Sequence, residues 1–126
     1  MENIRILAVD DSTTNIALLA GILEEEGYEV IKASNGKDAL KLLLKEHIDL
    51  ILLDLMMPKI DGYKILEKLK QMDNKKNIPV VVVSARTNTK SIKKALDMGA
   101  FDFIKKPVDI VELLSAVNKA LNKPKI

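Results

Sequence analysis

A chain of 126 residues, 48% of them hydrophobic, is the size of one compact domain able to bury a core without staples. Twenty Lys and Arg against eighteen Asp and Glu leave a formal charge of +2, with both signs interspersed, so the composition does not announce a nucleic-acid binder. With no Cys and a lone His47 there is neither a disulfide framework nor a thiolate or histidine metal cluster, and any metal must be held by oxygen.

In chain order, the first strand-like run covers 4–9 and ends in Asp10-Asp11-Ser12. Ile16, Leu19 and Leu23 follow at helical spacing until Gly27, a stop signal. A second strand is predicted at 28–32, and a second helix carries Ala39, Leu40, Leu43 and Leu44. The third strand, 49–53, runs into Asp54, after which Met-Met-Pro breaks the pattern before Asp61-Gly62. Ile65, Leu66 and Leu69 mark a third helix, 79–83 a fourth strand ending in Ser84-Ala85, and Gly99 the end of a fourth helix. The fifth strand, 101–104, leads into Lys105-Lys106-Pro107, and Asp109-Ile-Val-Glu112 reads as a capping box opening the fifth helix. His47 is expected on the surface, and Met56 and Met57 are expected to pack.

No apolar run reaches the roughly 18 residues that span a bilayer, and residues 1–3 open onto a strand without a signal-peptide layout. A cytoplasmic, single-domain chain (1–126) is expected, with 123–126 the start of a linker. Alternation of five strands and five helices predicts an α/β fold: a parallel sheet with helices on both faces and functional groups outside the carboxyl ends of the strands.

At those ends stand Asp10, Asp11, Asp54, Ser84 and Lys106. If the first and third strands are neighbours, their carboxylates repel by about 4 kcal/mol per pair at about 4 Å and an effective dielectric near 20. A hard divalent cation, Mg²⁺ above all, suits such an oxygen cluster, and Lys106 would balance the charge of a phosphoryl group. Taken singly, each residue has a plain alternative: Asp11 or Ser12 as a helix cap, Asp54 as a loop acid, Ser84 as a turn residue, Lys106 as a solvated charge. Independent loop residues need not fall at four functional strand ends together.

VDDS at 9–12, LLDLMMPKIDG at 52–62, VVSA at 82–85 and KKP at 105–107 together resemble the receiver domain of two-component response regulators, over essentially the whole chain. The resemblance implies a flavodoxin-like (βα)5 sandwich with strand order 2-1-3-4-5. It also implies that Asp54 accepts a phosphoryl group from a phosphohistidine. By the same resemblance, Asp10, Asp11, Asp54 and the Met56 carbonyl hold Mg²⁺, Ser84 and Lys106 bind the phosphoryl group, and Lys106-Pro107 is a cis peptide. Ser84 and Phe103 would be the switch, acting on the face of helix 4, strand 5 and helix 5.

Implied partners are a sensor histidine kinase or phosphotransfer protein, an output domain or target, and a phosphorylation-dependent homodimer, with no membrane and no direct nucleic-acid contact. Ser stands where many members have Thr, and Phe103 where Tyr is common. Three rivals remain in view. An aspartyl-phosphate phosphatase wants a second Asp where Met56 stands. A flavodoxin-like cofactor binder wants hydroxyls and glycines where Asp10 and Asp11 stand. A phosphorylation-independent module would lack at least one of the five side chains.

Overall fold

The computed structural model describes residues 3–122. Its elements alternate as β1 (Arg5–Val9), α1 (Thr13–Glu25), β2 (Glu29–Ala33), α2 (Gly36–Lys45), β3 (Leu50–Leu53), α3 (Gly62–Lys70), β4 (Val80–Ser84), α4 (Thr89–Asp97), β5 (Asp102–Lys105) and α5 (Ile110–Leu121). All strands are parallel and lie in the order β2-β1-β3-β4-β5, as the resemblance implied.

Strand periodicity explains the layers. Leu50 and Leu52 of β3 point to one face, and Ile51 and Leu53 to the other. The first pair meets Leu19 and Leu23 of α1 and Leu113, Ala116 and Val117 of α5. The second meets Ala39 and Leu43 of α2, Ile65, Leu66 and Leu69 of α3, and Ala95 of α4. Covered on both faces, β3 and β4 are buried throughout, which is why they read as unbroken LILL and VVVV.

Each predicted strand starts one residue too early: 4, 28, 49, 79 and 101 precede the observed starts at 5, 29, 50, 80 and 102. Ile4, Tyr28 and Phe101 are apolar residues just ahead of the strands; the Ile4 carbonyl already accepts the Glu29 amide at 2.9 Å and the Phe101 amide donates to the Val80 carbonyl at 2.7 Å, while Pro79 has no amide hydrogen to donate. The final residues read as a linker, 123–126, lie outside the described residues, as do residues 1 and 2.

Every helix starts on a side-chain cap. Ser12, Asn35, Asp61, Asn88 and Asp109 each accept the amide of the third residue onward, at 3.2, 2.8, 3.0, 2.8 and 3.0 Å. Ser12, and not Asp11, caps α1. Gly27 and Gly99, with φ of 91° and 103°, turn the chain after α1 and α4 in the left-handed region expected of helix stops. Among the described residues of α4 only Ala95 is fully buried, so this helix leans on its cap and on Tyr63. The Tyr63 hydroxyl donates to the Ser91 carbonyl at 3.2 Å, and the Lys94 ammonium sits 4.2 Å from the Tyr63 ring centre.

The N-terminal ends of the strands carry charge pairs away from the crevice. Arg5 meets Glu46 at 2.8 Å and Glu29 at 3.3 Å, and these partners raise its pKa further. His47 is 67% exposed at its side chain and faces Asp49 at 2.9 Å, a surface residue as expected.

Candidate phosphoryl and metal site

The chain leaves β1 and β3 in directions set by the strand order, because β1 connects to one neighbour, β2, while β3 lies on its other side. A crevice opens at such a reversal. Asp10 follows β1, and its amide still reaches the Ala33 carbonyl at 3.2 Å. Asp54 follows β3, with its amide on the Val9 carbonyl at 3.0 Å. Both carboxylates are thus placed by a backbone that continues the sheet, and both are buried, 2% and 5% exposed.

Each carboxylate also folds back onto its own loop. Asp10 Oδ1 accepts the Ser12 amide at 2.9 Å, and Asp54 Oδ1 accepts the Met56 amide at 3.2 Å. Lys106 continues β5, its amide donating to the Ser84 carbonyl at 3.0 Å. Its ammonium reaches Asp10 Oδ2 at 2.8 Å and Asp54 Oδ2 at 3.4 Å. The Lys106-Pro107 peptide is cis, as the resemblance implied. Ser84 is fully buried at the end of β4, and its Oγ accepts the Arg86 amide at 3.1 Å.

Asp11 is exposed, yet one oxygen from each of Asp10, Asp11 and Asp54 lies within 4.8 Å of the others. One ammonium does not balance three carboxylates. The donor set is all oxygen and has an open side at Asp11, which fits a hard cation that retains water. The structure brings Asp10, Asp11, Asp54 and Lys106 together and sets Ser84 at the end of β4, the strand next to β3.

One expectation changes. Met57 packs, 7% exposed in the core, but the Met56 side chain is 48% exposed and does not. One of the two adjacent methionines therefore faces water. Phe103 is half-buried and packs on the α2–α3–α4 side of the sheet, while Ile104 faces α5. A further contact was missed: the Asn15 carboxamide lies 3.5 Å from Asp10 Oδ2. A polar residue one turn into α1, after Asp11, was the available signal.

Burial raises the Asp54 pKa above the ordinary aspartate value, assisted by Asp10, and the Met56 amide and Lys106 only partly offset this. Burial opposes the Lys106 charge, but the bond to Asp10 and the charges of Asp54 and Asp10 outweigh it and raise its pKa. A carboxyl group with a raised folded-state pKa contributes stability below its unfolded value, near 3.9, and loses it as pH rises through the folded value. In metal-free buffer we expect Asp54→Asn to raise the urea midpoint at pH 7. That gain should shrink as pH falls and vanish below about 4, where wild-type Asp54 is neutral in both states. A variant less stable than wild type at pH 7 would show that Lys106 overcompensates the burial of Asp54.

Comparison with known proteins agrees with this geometry. The family model described as response regulator receiver domain matches residues 6–118. Sporulation initiation phosphotransferase F of Bacillus subtilis is 39% identical over 121 residues, covering 96% of each chain. Response regulator PleD of Caulobacter vibrioides is 42% identical over 113 residues, 90% of this chain but 25% of PleD. The chain thus spans a quarter of one relative and nearly all of another. Among solved structures, the chemotaxis protein CheY4 of Vibrio cholerae superposes with a TM-score of 0.90 at 27% identity, over 95% of this chain and all of that one. The chain belongs to the receiver domain family of two-component response regulators.

Proposed function

We propose that Asp54 takes a phosphoryl group from a phosphohistidine on a sensor histidine kinase or phosphotransfer protein, and that the new charge switches the face of α4, β5 and α5. The observation that carries this reading is the setting of Asp54. It is a buried carboxylate at a strand end, within 4.8 Å of two other acids and 3.4 Å from an ammonium.

In the transfer, an Asp54 oxygen bonds to phosphorus as the bond from phosphorus to the imidazole nitrogen breaks. The ring nitrogen keeps the electron pair, leaving an acyl phosphate and a free histidine. Asp10, Asp11, Asp54 and the Met56 carbonyl would hold Mg²⁺, which when bound neutralises charge on the transferring group. Lys106 turns its ammonium from the carboxylates to a phosphoryl oxygen, and Ser84 donates its hydroxyl to another. A loose transition state asks for this positioning and charge neutralisation rather than for a proton donor. Met56 offers no acid where a phosphatase would need one, so the domain regulates by assisting its own phosphorylation and dephosphorylation.

The switch follows from charge and packing. A phosphoryl group adds about −1.5 to −2 charges near neutral pH and draws Ser84 toward Asp54. Half-buried Phe103 then moves into the space behind Ser84, and lightly packed α4 is the helix able to adjust. The change is a bias between two existing states. Its readers are an output domain, a target protein or a second phosphorylated copy. The domain itself contacts neither membrane nor nucleic acid. No helix among the described residues is long and apolar enough to cross a membrane, and the reading places the domain in the cytoplasm with its kinase.

Incubation with acetyl phosphate and Mg²⁺ should add one phosphoryl group by intact mass, none in chelator and none in Asp54→Asn; undiminished labelling of that variant would refute the acceptor. With beryllofluoride as the phosphoryl mimic, amide shifts from Ala85 to Lys106 should be large in wild type. They should fall sharply in Ser84→Ala that still binds the mimic. Equal shifts in both would exclude the hydroxyl as the trigger.

A further inference from the structure

The loop between β3 and α3 carries Met56, and its path is fixed from outside the crevice. The Met57 side chain is buried between the sheet and the helices of its face. Lys59 then turns the chain with a φ of 67°, and Ile60 comes back half-buried against the same cluster. At its near end the loop is closed by Gly62, whose amide donates to the Leu55 carbonyl at 3.1 Å. A Cβ on Gly62 would lie 2.5 Å from the Asp54 carbonyl oxygen.

The outer support is Gly36, the first residue of α2. A Cβ there would lie 2.6 Å from Ile60 Cβ, 2.7 Å from its Cγ2 and 2.7 Å from its carbonyl oxygen. Side-chain carbons do not approach that closely, so glycine here supplies space for the loop backbone. Nor is α2 free to retreat. Asn35 caps it through the Asp38 amide at 2.8 Å, and Ala39 and Leu43 are fully buried behind it. Any atom added at Gly36 must therefore push the loop.

We propose that Gly36 is a positioning residue for the metal and phosphoryl site, fixing the Met56 carbonyl through the contact of α2 with Ile60. The inference rests on the reading of that carbonyl as a metal ligand. Mg²⁺ requires near-octahedral donors at short range, so a displaced loop spoils one donor. Asp10 and Asp54 stay in place, because their amides belong to the sheet. The effect falls on cation affinity, beyond any loss of stability.

The test is an NMR titration of metal-free protein with Mg²⁺, following the amides of Asp54 and Met56. Gly36→Ala should weaken Mg²⁺ affinity about tenfold, the scale of lost outer support for a ligand. It should also shift the Met56 amide before any metal is added. Ala116→Gly, a cavity in α5 on the opposite face of the sheet, controls for general destabilisation and should keep the wild-type affinity. Ile60→Ala trims the same contact without adding atoms, so it reports even where Gly36→Ala does not fold. It should weaken binding by a smaller factor with a similar Met56 shift. Wild-type affinity in the loop variants, or an equal loss in Ala116→Gly, would overturn the role of Gly36. Wild-type protein that binds no Mg²⁺ would instead overturn the reading of the site.

Discussion

Asp10 and Asp54 are like charges held side by side, buried, with one ammonium between them. Withdrawing ionised groups from water costs several kcal/mol each, and a single partner offsets only part of that. A flexible chain would relieve the repulsion by turning one carboxylate outward. Here neither can turn, because each follows a strand whose amides remain in the ladder and whose own carboxylate is tied to the next loop. The site is poised for positive charge by the rigidity of the sheet, and the response of Asp54 to burial expresses that state.

Strand order extends this into a row of polar side chains. With β1, β3, β4 and β5 adjacent, their ends bring Asp10, Asp54, Ser84 and Lys106 into succession across the sheet. Lys106 reaches back to Asp10 although 96 residues separate them. Ser84 pairs with Lys105 in the ladder, so the hydroxyl and the loop that carries Lys106 share one backbone frame. The glycines at 36 and 62 do complementary work, letting backbone approach backbone so that the loop after Asp54 has one path.

How much of this was readable depended on range. The ends of β1 and β3 were legible because apolar runs stop sharply at Asp10 and Asp54, whereas β2, β4 and β5 run one residue past the expected ends at 32, 83 and 104, and strand starts were blurred by Ile4, Tyr28 and Phe101, apolar residues just ahead of the strands. Asn35, Asp61 and Asn88 were local cap signals that could have been read, since each precedes a helix by one residue. Strand order came from the family resemblance, for alternation alone fixes no order. The outward turn of Met56 and the contact of Gly36 with Ile60 depend on tertiary placement, and composition carries no trace of them.

Charge is unbalanced at fixed positions: three carboxylates lie within 4.8 Å of one another and Lys106 is held 2.8 Å from an Asp10 oxygen. Isothermal titration of Mg²⁺ into wild type and Lys106→Met reads this imbalance. Removing the ammonium deletes both a competitor for Asp10 and a repelling charge, so affinity should rise by about tenfold or more. An unchanged or weaker affinity in Lys106→Met would contradict the account, because the carboxylates would then not be competing for positive charge.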